Sequence, residues 1–307
     1  MPEVSVVIPT YNRAGFLRSA IRSILNQTFQ DFEIIVVDDG STDCSAKEVV
    51  SEFRDPRIRY IRHEVNRGGS AARNTGIKSS KGKYIAFLDD DDEWLPEKLE
   101  RQINVIDSSS ERVGGVYTGF LLVNRESGKV ISRRIPYKSG NLYKELVSGN
   151  CIGTTSTLLL KRECFDKVGL FDENLLSSQD YDMWIRISKE FFFECLSEPL
   201  VRYYVHGRRI TTTQRAVIDG MELMLRKYEK GYFVLNKKAL SNKYLSLGVI
   251  YCLSGDVKRG RYAFLKAIKL YPFGVRHYFN LVLSLLGAGN FKKVKEAKNQ
   301  LALSLKS

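Results

Sequence analysis

The sequence predicts an α/β domain with a mixed, mostly parallel sheet and helices on both faces, followed by an all-α region. Three observations carry this. Residues 4–88 alternate short β-branched apolar runs with segments of helical periodicity, in the order β-α-β-α-β-α-β. Three of the four apolar runs end in turn-forming or acidic clusters. From residue 215 to 303 the pattern is helical throughout.

Val4-Ser-Val-Val-Ile-Pro9 reads as a buried strand, with Thr10-Tyr-Asn-Arg13 as the turn after it. Phe16, Leu17, Ala20, Ile21, Ile24 and Leu25 then recur at helical spacing. Glu33-Ile-Ile-Val-Val-Asp38 is the second buried strand, and Asp38-Asp-Gly-Ser-Thr-Asp43 both turns the chain and offers a cap for the next helix. Arg57 to Arg62 is a third strand, and Asn66-Arg-Gly-Gly-Ser70 is a glycine turn into a helix through Ala71, Ala72 and Ile77. Tyr84 to Leu88 is the fourth strand, and it runs into four consecutive aspartates, Asp89 to Asp92, with a helix expected from Pro96. Further on, 115–123 and 128–133 read as two strands joined by a turn, 149–156 as a small-residue loop before a strand to Leu160, and 161–169 as a short helix ended by Gly169. Asp180 stands at a loop-to-helix boundary ahead of Met183, Trp184 and Ile187, and Pro199 to Val205 is a strand that leads into His206-Gly-Arg-Arg209.

In a doubly wound sheet ligands bind beyond the carboxyl ends of the strands. That places the residues after Pro9, Asp38 and Leu88 along one edge. Four adjacent carboxylates repel one another, and a divalent cation that carries phosphates is the obvious remedy; a surface turn capping the next helix is the plainer alternative. Asp38 and Asp39 are placed to accept hydrogen bonds from a ribose or a base, although Asp38-Asp-Gly-Ser41 taken alone is a turn and helix cap. Asp180 near a helix N-terminus stays ionised, which suits a base, a ligand-binding group or a plain cap. No GxGxxG or GxxxxGK[ST] sequence is present, which argues against dinucleotide oxidoreductases and P-loop enzymes. The five cysteines form no CxxC pair, so reduced thiols in a cytoplasmic protein are expected and zinc is not. No apolar run is long enough to cross a membrane, and Val4 to Pro9 is too short for a signal peptide.

Five segments, taken together and in order, resemble the family 2 glycosyltransferases, inverting nucleotide-sugar transferases of the GT-A fold. They are Val4-Ser-Val-Val-Ile-Pro-Thr-Tyr-Asn12, Ile34-Ile-Val-Val-Asp-Asp-Gly-Ser-Thr-Asp43, Asn66-Arg-Gly-Gly-Ser-Ala-Ala-Arg-Asn-Thr-Gly76, Leu88-Asp-Asp-Asp-Asp92 and Gln179-Asp-Tyr-Asp-Met-Trp184. The resemblance implies a catalytic domain over 1–210, with a nucleotide-binding half at 1–95 and an acceptor half at 96–210. It implies that Pro9, Thr10 and Asn12 line the nucleotide pocket, that Asp39 meets the base or ribose, and that Arg73 reaches the donor near its diphosphate. Asp89, Asp90 and Asp91 occupy the family's Asp-x-Asp site, with Asp90 on the donor ribose, Asp91 on a Mn²⁺ or Mg²⁺ ion, and Asp89 toward donor and metal. Four aspartates in a row leave that register open. Asp180 falls where the family has its catalytic base, preceded here by Gln179 instead of Glu. His206 falls where members carry a His or Arg near the donor phosphates. A UDP-linked donor and a glycan or lipid-linked acceptor are the implied substrates. A non-catalytic sugar-nucleotide binder is the alternative, disfavoured because both acidic sites are intact. A nucleotidyltransferase would want a glycine-rich basic loop after the first strand, and Pro9 to Asn12 is not that.

The charge is uneven. Residues 201–307 carry 21 Lys and Arg against 5 Asp and Glu, whereas residues 1–200 carry 27 against 30. The basic stretch 211–307 is therefore expected to meet an anionic membrane surface, peripherally on the cytoplasmic face, or a protein partner; no nucleic-acid motif accompanies the charge. Tyr244, Leu247, Gly255, Lys258 and Ala263 recur 34 residues later as Tyr278, Leu281, Gly289, Lys292 and Ala297, a spacing similar to tetratricopeptide repeats. Phe279 to Leu286 is apolar enough for an interface, and a core helix is the commoner use of such a run.

Overall fold

The computed structural model describes residues 1–43, 45–205 and 214–304, with backbone alone for 232–235 and 298–304. The chain divides into two compact units, one of residues 1–146, 150–174 and 179–208, the other of 147–149, 175–178 and 209–307.

The first unit is built on a sheet with nine strands among the described residues. β1 (Val4–Thr10), β2 (Phe32–Asp38), β3 (Ile58–Arg62) and β4 (Tyr84–Phe87) form its parallel part, in the spatial order β3-β2-β1-β4. Beyond β4 the sheet becomes mixed and continues through β8 (Leu158–Lys161), β6 (Val113–Asn124), β9 (Phe192–Val205) and the two-residue β5 (Glu93–Trp94), with β7 (Val130–Arg134) paired to β6. β5 pairs antiparallel with β9 and was not legible as a strand, since two residues carry no period. β9 begins at Phe192, seven residues before the expected Pro199, because its first half pairs with β6 across irregular register.

Side chains alternate across the sheet and so fill two layers. On one face Val4, Val6, Ile8, Ile34 and Val36 pack with Leu17, Ala20, Ile21 and Ile24 of α1 (Ala14–Leu25), Val49 of α2 (Ser45–Glu52), and Leu99, Ile103 and Ile106 of α4 (Lys98–Ser108). On the other, α3 (Gly69–Ser79) lies on β1 and β2. There Phe87 meets Phe165 of α6 (Arg162–Val168) edge-on at 6.0 Å and Phe171 at 5.4 Å, and Phe171 meets Trp184 of α7 (Gln179–Glu190) at 6.5 Å. The short α5 (Tyr143–Ser148) lies between β7 and β8 in sequence. Helices cover both faces, as the β-α alternation predicts.

The second unit contains α8 (Gln214–Leu235), α9 (Lys237–Leu253), α10 (Val257–Leu270), α11 (Val275–Leu285) and α12 (Gly287–Ser304). Cys252, Phe264, Leu283 and Phe291 form its apolar centre. The 34-residue spacing maps only in part onto these helices. Gly255 turns the chain at φ +97°, but its counterpart in the second pair is Gly287 at φ +82°, while Gly289 is helical. Tyr244 and Ala263 are buried, whereas Tyr278 and Ala297 are exposed. No helix among the described residues is long and apolar enough to cross a membrane.

α3 approaches β1 closely because Gly76 carries no side chain: a Cβ there would stand 2.2 Å from Val7 Cγ1. Gly76→Ala should therefore destabilise the first unit by about 1–3 kcal/mol through overpacking, outweighing alanine's better helix propensity. A lower urea midpoint with an unchanged slope would bear this out; an unshifted midpoint would mean that Val7 yields freely.

Candidate functional site

Register assembles the site. Thr10 ends β1 opposite Asp38, and the β1–β4 pairing of Val7 with Phe87, continued three residues, sets Thr10 beside Asp90. Its hydroxyl donates to Asp90 Oδ2 at 2.7 Å. Pro9 lies in β1 one residue before, paired with Val37.

The aspartate run separates into individual roles. Asp92 is 1% exposed and belongs to the scaffold: its Oδ2 accepts from Ser156 Oγ at 2.7 Å, and the Ser156 carbonyl accepts from Trp94 Nε1 at 2.8 Å. Ser156 Oγ also accepts from the Asp89 N–H at 3.2 Å, so one serine from the 149–156 loop ties both ends of the run. Asp89 has the most open side chain of Asp89, Asp90 and Asp91, and its Oδ1 accepts from Arg73 Nη2 at 2.6 Å and Thr155 Oγ1 at 3.2 Å. Asp90 and Asp91 share Arg13, whose Nη1 stands 3.2 Å from Asp90 Oδ1 and 3.1 Å from Asp91 Oδ2. The guanidinium of Arg125 reaches the Asp91 carbonyl at 3.4 Å and lies over the rings of Phe16 and Tyr204.

Two arginines do not offset this much carboxylate. Burial pushes the Asp90 carboxyl up to about 7; Arg13 pulls it down and Asp91 pushes it up further. Among the described residues no three His, Cys, Asp or Glu side chains group as a ready-made metal cage. The oxygen donors of Asp89 and Asp91 fit a hard divalent cation that takes one or two protein ligands and the rest from phosphates and water.

Asp180 lies in the first turn of α7 and accepts from the Tyr181 N–H at 2.7 Å. Ser178, two residues earlier, takes φ +62°, a conformation that non-glycine residues adopt under constraint. The helix behind is fixed by Arg186, which bonds Asp182 and the carbonyls of Val168 and Leu170. Burial pushes the Asp180 carboxyl up to about 6; the Tyr181 N–H and then Arg73 pull it down, and Asp89 adds to the rise. Asp180 therefore feels both Arg73 and Asp89, although 91 residues separate it in sequence from the latter.

The remaining predicted residues hold the site's loops. Asn12, at φ +52°, accepts from the Thr42 N–H at 2.8 Å, and its own N–H donates to Ser41 Oγ at 2.9 Å, which binds the β1 loop to the β2 loop. Asp38 accepts from the Ser41 N–H and from Tyr60 Oη. Asp39 accepts from the N–H groups of Arg67 and Gly68 at 2.9 and 2.7 Å, and its Oδ1 lies 2.7 Å from His63 Nδ1. Three of its roughly four acceptor positions are thereby used within the fold. His206 lies outside the described residues. Arg13, Arg125, Thr155 and Ser156 were not singled out by sequence reasoning. Arg13 alone carried a signal, as a cation in the turn after a strand whose neighbour ends in acid.

The chain matches Glycosyl transferase family 2 over residues 5–169. It is 32% identical to an uncharacterized glycosyltransferase of Rickettsia typhi over 84% of this chain and 82% of that one. A protein of Escherichia coli K12, named as a proposed colanic acid biosynthesis glycosyl transferase, is 31% identical over 77% of this chain and 85% of its own. A longer relative from Rickettsia bellii is 33% identical, and the match spans 33% of its length. Solved structures of similar fold include Staphylococcus aureus TarS 1–349 in complex with UDP-GlcNAc, with TM-score 0.58, 18% identity, and 88% and 89% of the two chains covered. The mannosyltransferase PcManGT of Pyrobaculum calidifontis, in complex with GDP-Man and Mn²⁺, aligns with TM-score 0.59 at 18% identity over 95% of this chain and 87% of that one. The chain belongs to glycosyl transferase family 2 and is a glycosyltransferase. Its first unit has the GT-A architecture that the five motifs imply.

The coupling of Asp180 to Arg73 is directly measurable. In a carboxyl-carbon NMR titration Asp180 should show a midpoint of about 6. In Arg73→Gln, which removes a nearby positive charge, that midpoint should move upward; a midpoint that stays or falls would mean the two groups do not face each other.

Proposed function

We propose that this protein transfers a sugar, with inversion, from a nucleoside diphosphate sugar, UDP-linked by preference, to a hydroxyl of a glycan or lipid-linked acceptor. The observation that carries the reading is the arrangement of Asp180, its carboxyl raised to about 6, in electrostatic reach of Arg73 and Asp89. A base with that pKa is ionised at neutral pH and basic enough to take a proton in the transition state. The UDP-GlcNAc and GDP-Man complexes of proteins with the same fold support a nucleotide-sugar donor, and the colanic acid biosynthesis named for the E. coli relative supports a glycan acceptor.

In this reading the donor lies along the ends of β1, β2 and β4, with Pro9, Thr10, Asn12 and Asp39 on the nucleoside side and Asp90 on the ribose. Asp91 and Asp89 would hold a Mn²⁺ or Mg²⁺ ion, which would offset charge that develops on the departing diphosphate. Arg73 sits beside Asp89 and is placed to stabilise the same phosphates. Asp180 takes the proton from the acceptor hydroxyl as its oxygen bonds to the anomeric carbon. The carbon–oxygen bond to the β-phosphate breaks on the opposite side, its electron pair leaves with the nucleoside diphosphate, and the configuration inverts.

Incubation with a panel of nucleotide sugars and Mn²⁺ should release nucleoside diphosphate slowly from one or a few of them, and EDTA should abolish the release. With an acceptor, Asp180→Asn should bind donor normally and lose about 10²–10⁴-fold in kcat. Because the protonated base is inactive, wild-type kcat/KM should fall below a midpoint of about 6 and level off above it. Unimpaired transfer by Asp180→Asn would remove the base assignment, and no release from any donor would favour a non-catalytic binder.

A further inference from the structure

α11 sends Leu283 into the apolar centre, but beside it buries polar side chains and leaves much of its apolar surface exposed. His277, Asn280 and Ser284 are 2%, 4% and 0% exposed, whereas Val275, Phe279, Val282 and Leu286, the last just past its end, are 79%, 54%, 62% and 60% exposed. The inward positions are fixed by polar contacts: His277 Nε2 lies 3.2 Å from Ser241 Oγ, and the Ser284 carbonyl accepts from Arg261 at 2.9 Å. The outward positions follow the i, i+4, i+7, i+11 spacing of one helical stripe, which Leu285, also exposed, widens. A helix in water with only apolar residues along its outer stripe is a docking surface.

Charge selects the occupant. Residues 256–297 carry nine Lys and Arg against Asp256 and Glu296 alone. Arg276 on α11 and Lys292 and Lys293 on α12 are exposed. A second copy would bring an equally basic face against this one and be repelled. An anionic phospholipid bilayer takes both features, since acyl chains accept the apolar stripe and headgroup phosphates accept the lysines.

We propose that the outward stripe of α11, Val275-Phe279-Val282-Leu286, together with the exposed Arg276 of α11 and Lys292 and Lys293 of α12, is a docking surface for an anionic membrane. The stripe lies in the interface as a monotopic amphipathic helix does, and does not cross the bilayer. This goes beyond the proposed transfer reaction and does not rest on it.

The test is flotation of the full chain with phosphatidylcholine vesicles, with and without phosphatidylglycerol, at low and high salt, alongside sedimentation without vesicles. The wild type should float with the anionic vesicles, less so at high salt, and only weakly with the neutral ones. Phe279→Glu/Val282→Glu should reduce flotation by about tenfold or more, with an unchanged thermal melt because both sites face solvent. Lys292→Glu/Lys293→Glu keeps the stripe and should also reduce it by about tenfold or more. Three outcomes overturn the proposal: no flotation of the wild type with anionic vesicles, equal flotation of the wild type and both variants, or a wild-type dimer that the stripe variant dissociates while vesicles bind neither. None of these readouts requires turnover, so failure here leaves the donor reading standing, and the reverse also holds.

Discussion

Carboxylates at the end of β4 repel one another, and the elements around them are arranged to contain that repulsion. Asp89 to Asp92 follow a strand with four fully buried side chains, so water screens them poorly. Arg13 comes from the end of β1, Arg73 from α3, and Thr155 and Ser156 from the loop before β8, and each holds one or more of these carboxylates. Burial raises the Asp90 carboxyl to about 7, and Arg13 only partly offsets that rise. A fully neutralised cluster would gain little from a divalent cation. This one is held together by Arg13 and Arg73 yet still attracts positive charge.

The same site separates two kinds of acid. Asp92 serves the fold through Ser156 and Trp94, Asp39 serves it through the Arg67-Gly68 turn, and Asp38 through Ser41 and Tyr60. Asp89 and Asp91 remain at the edge under arginines. Asp180 is set apart on α7, with Arg186 bracing the helix and Arg73 lowering the cost of its charge. The aspartate run and Asp180 are thus carried by different elements, the turn after β4 and the first turn of α7.

The helical unit obeys a different logic. Its centre of Cys252, Phe264, Leu283 and Phe291 is small, and α11 gives it Leu283 together with the polar His277, Asn280 and Ser284, while Val275, Phe279, Val282 and Leu285 face solvent.

Local pattern in the sequence determined the α/β class, the four parallel strands, the helical C-terminal region and the family, because β-branched runs and helical periods are set by neighbours a few residues apart. It also singled out Asp89 to Asp92 and Asp180, since acids next to buried runs stand out in any chain. Only the tertiary structure decided which partner each aspartate meets. Thr10 and Arg13 meet Asp90 across 80 and 77 residues, and Ser156 meets Asp92 across 64, so no local window holds these pairs. The two-residue β5 escaped for the same reason, being defined by its partner β9. The apolar run 279–286 shows the limit most plainly. The sequence offered an interface or a core helix for this run, and only packing against α9, with Ser241 set to meet His277, decided that Leu283 goes inward and Phe279, Val282, Leu285 and Leu286 outward.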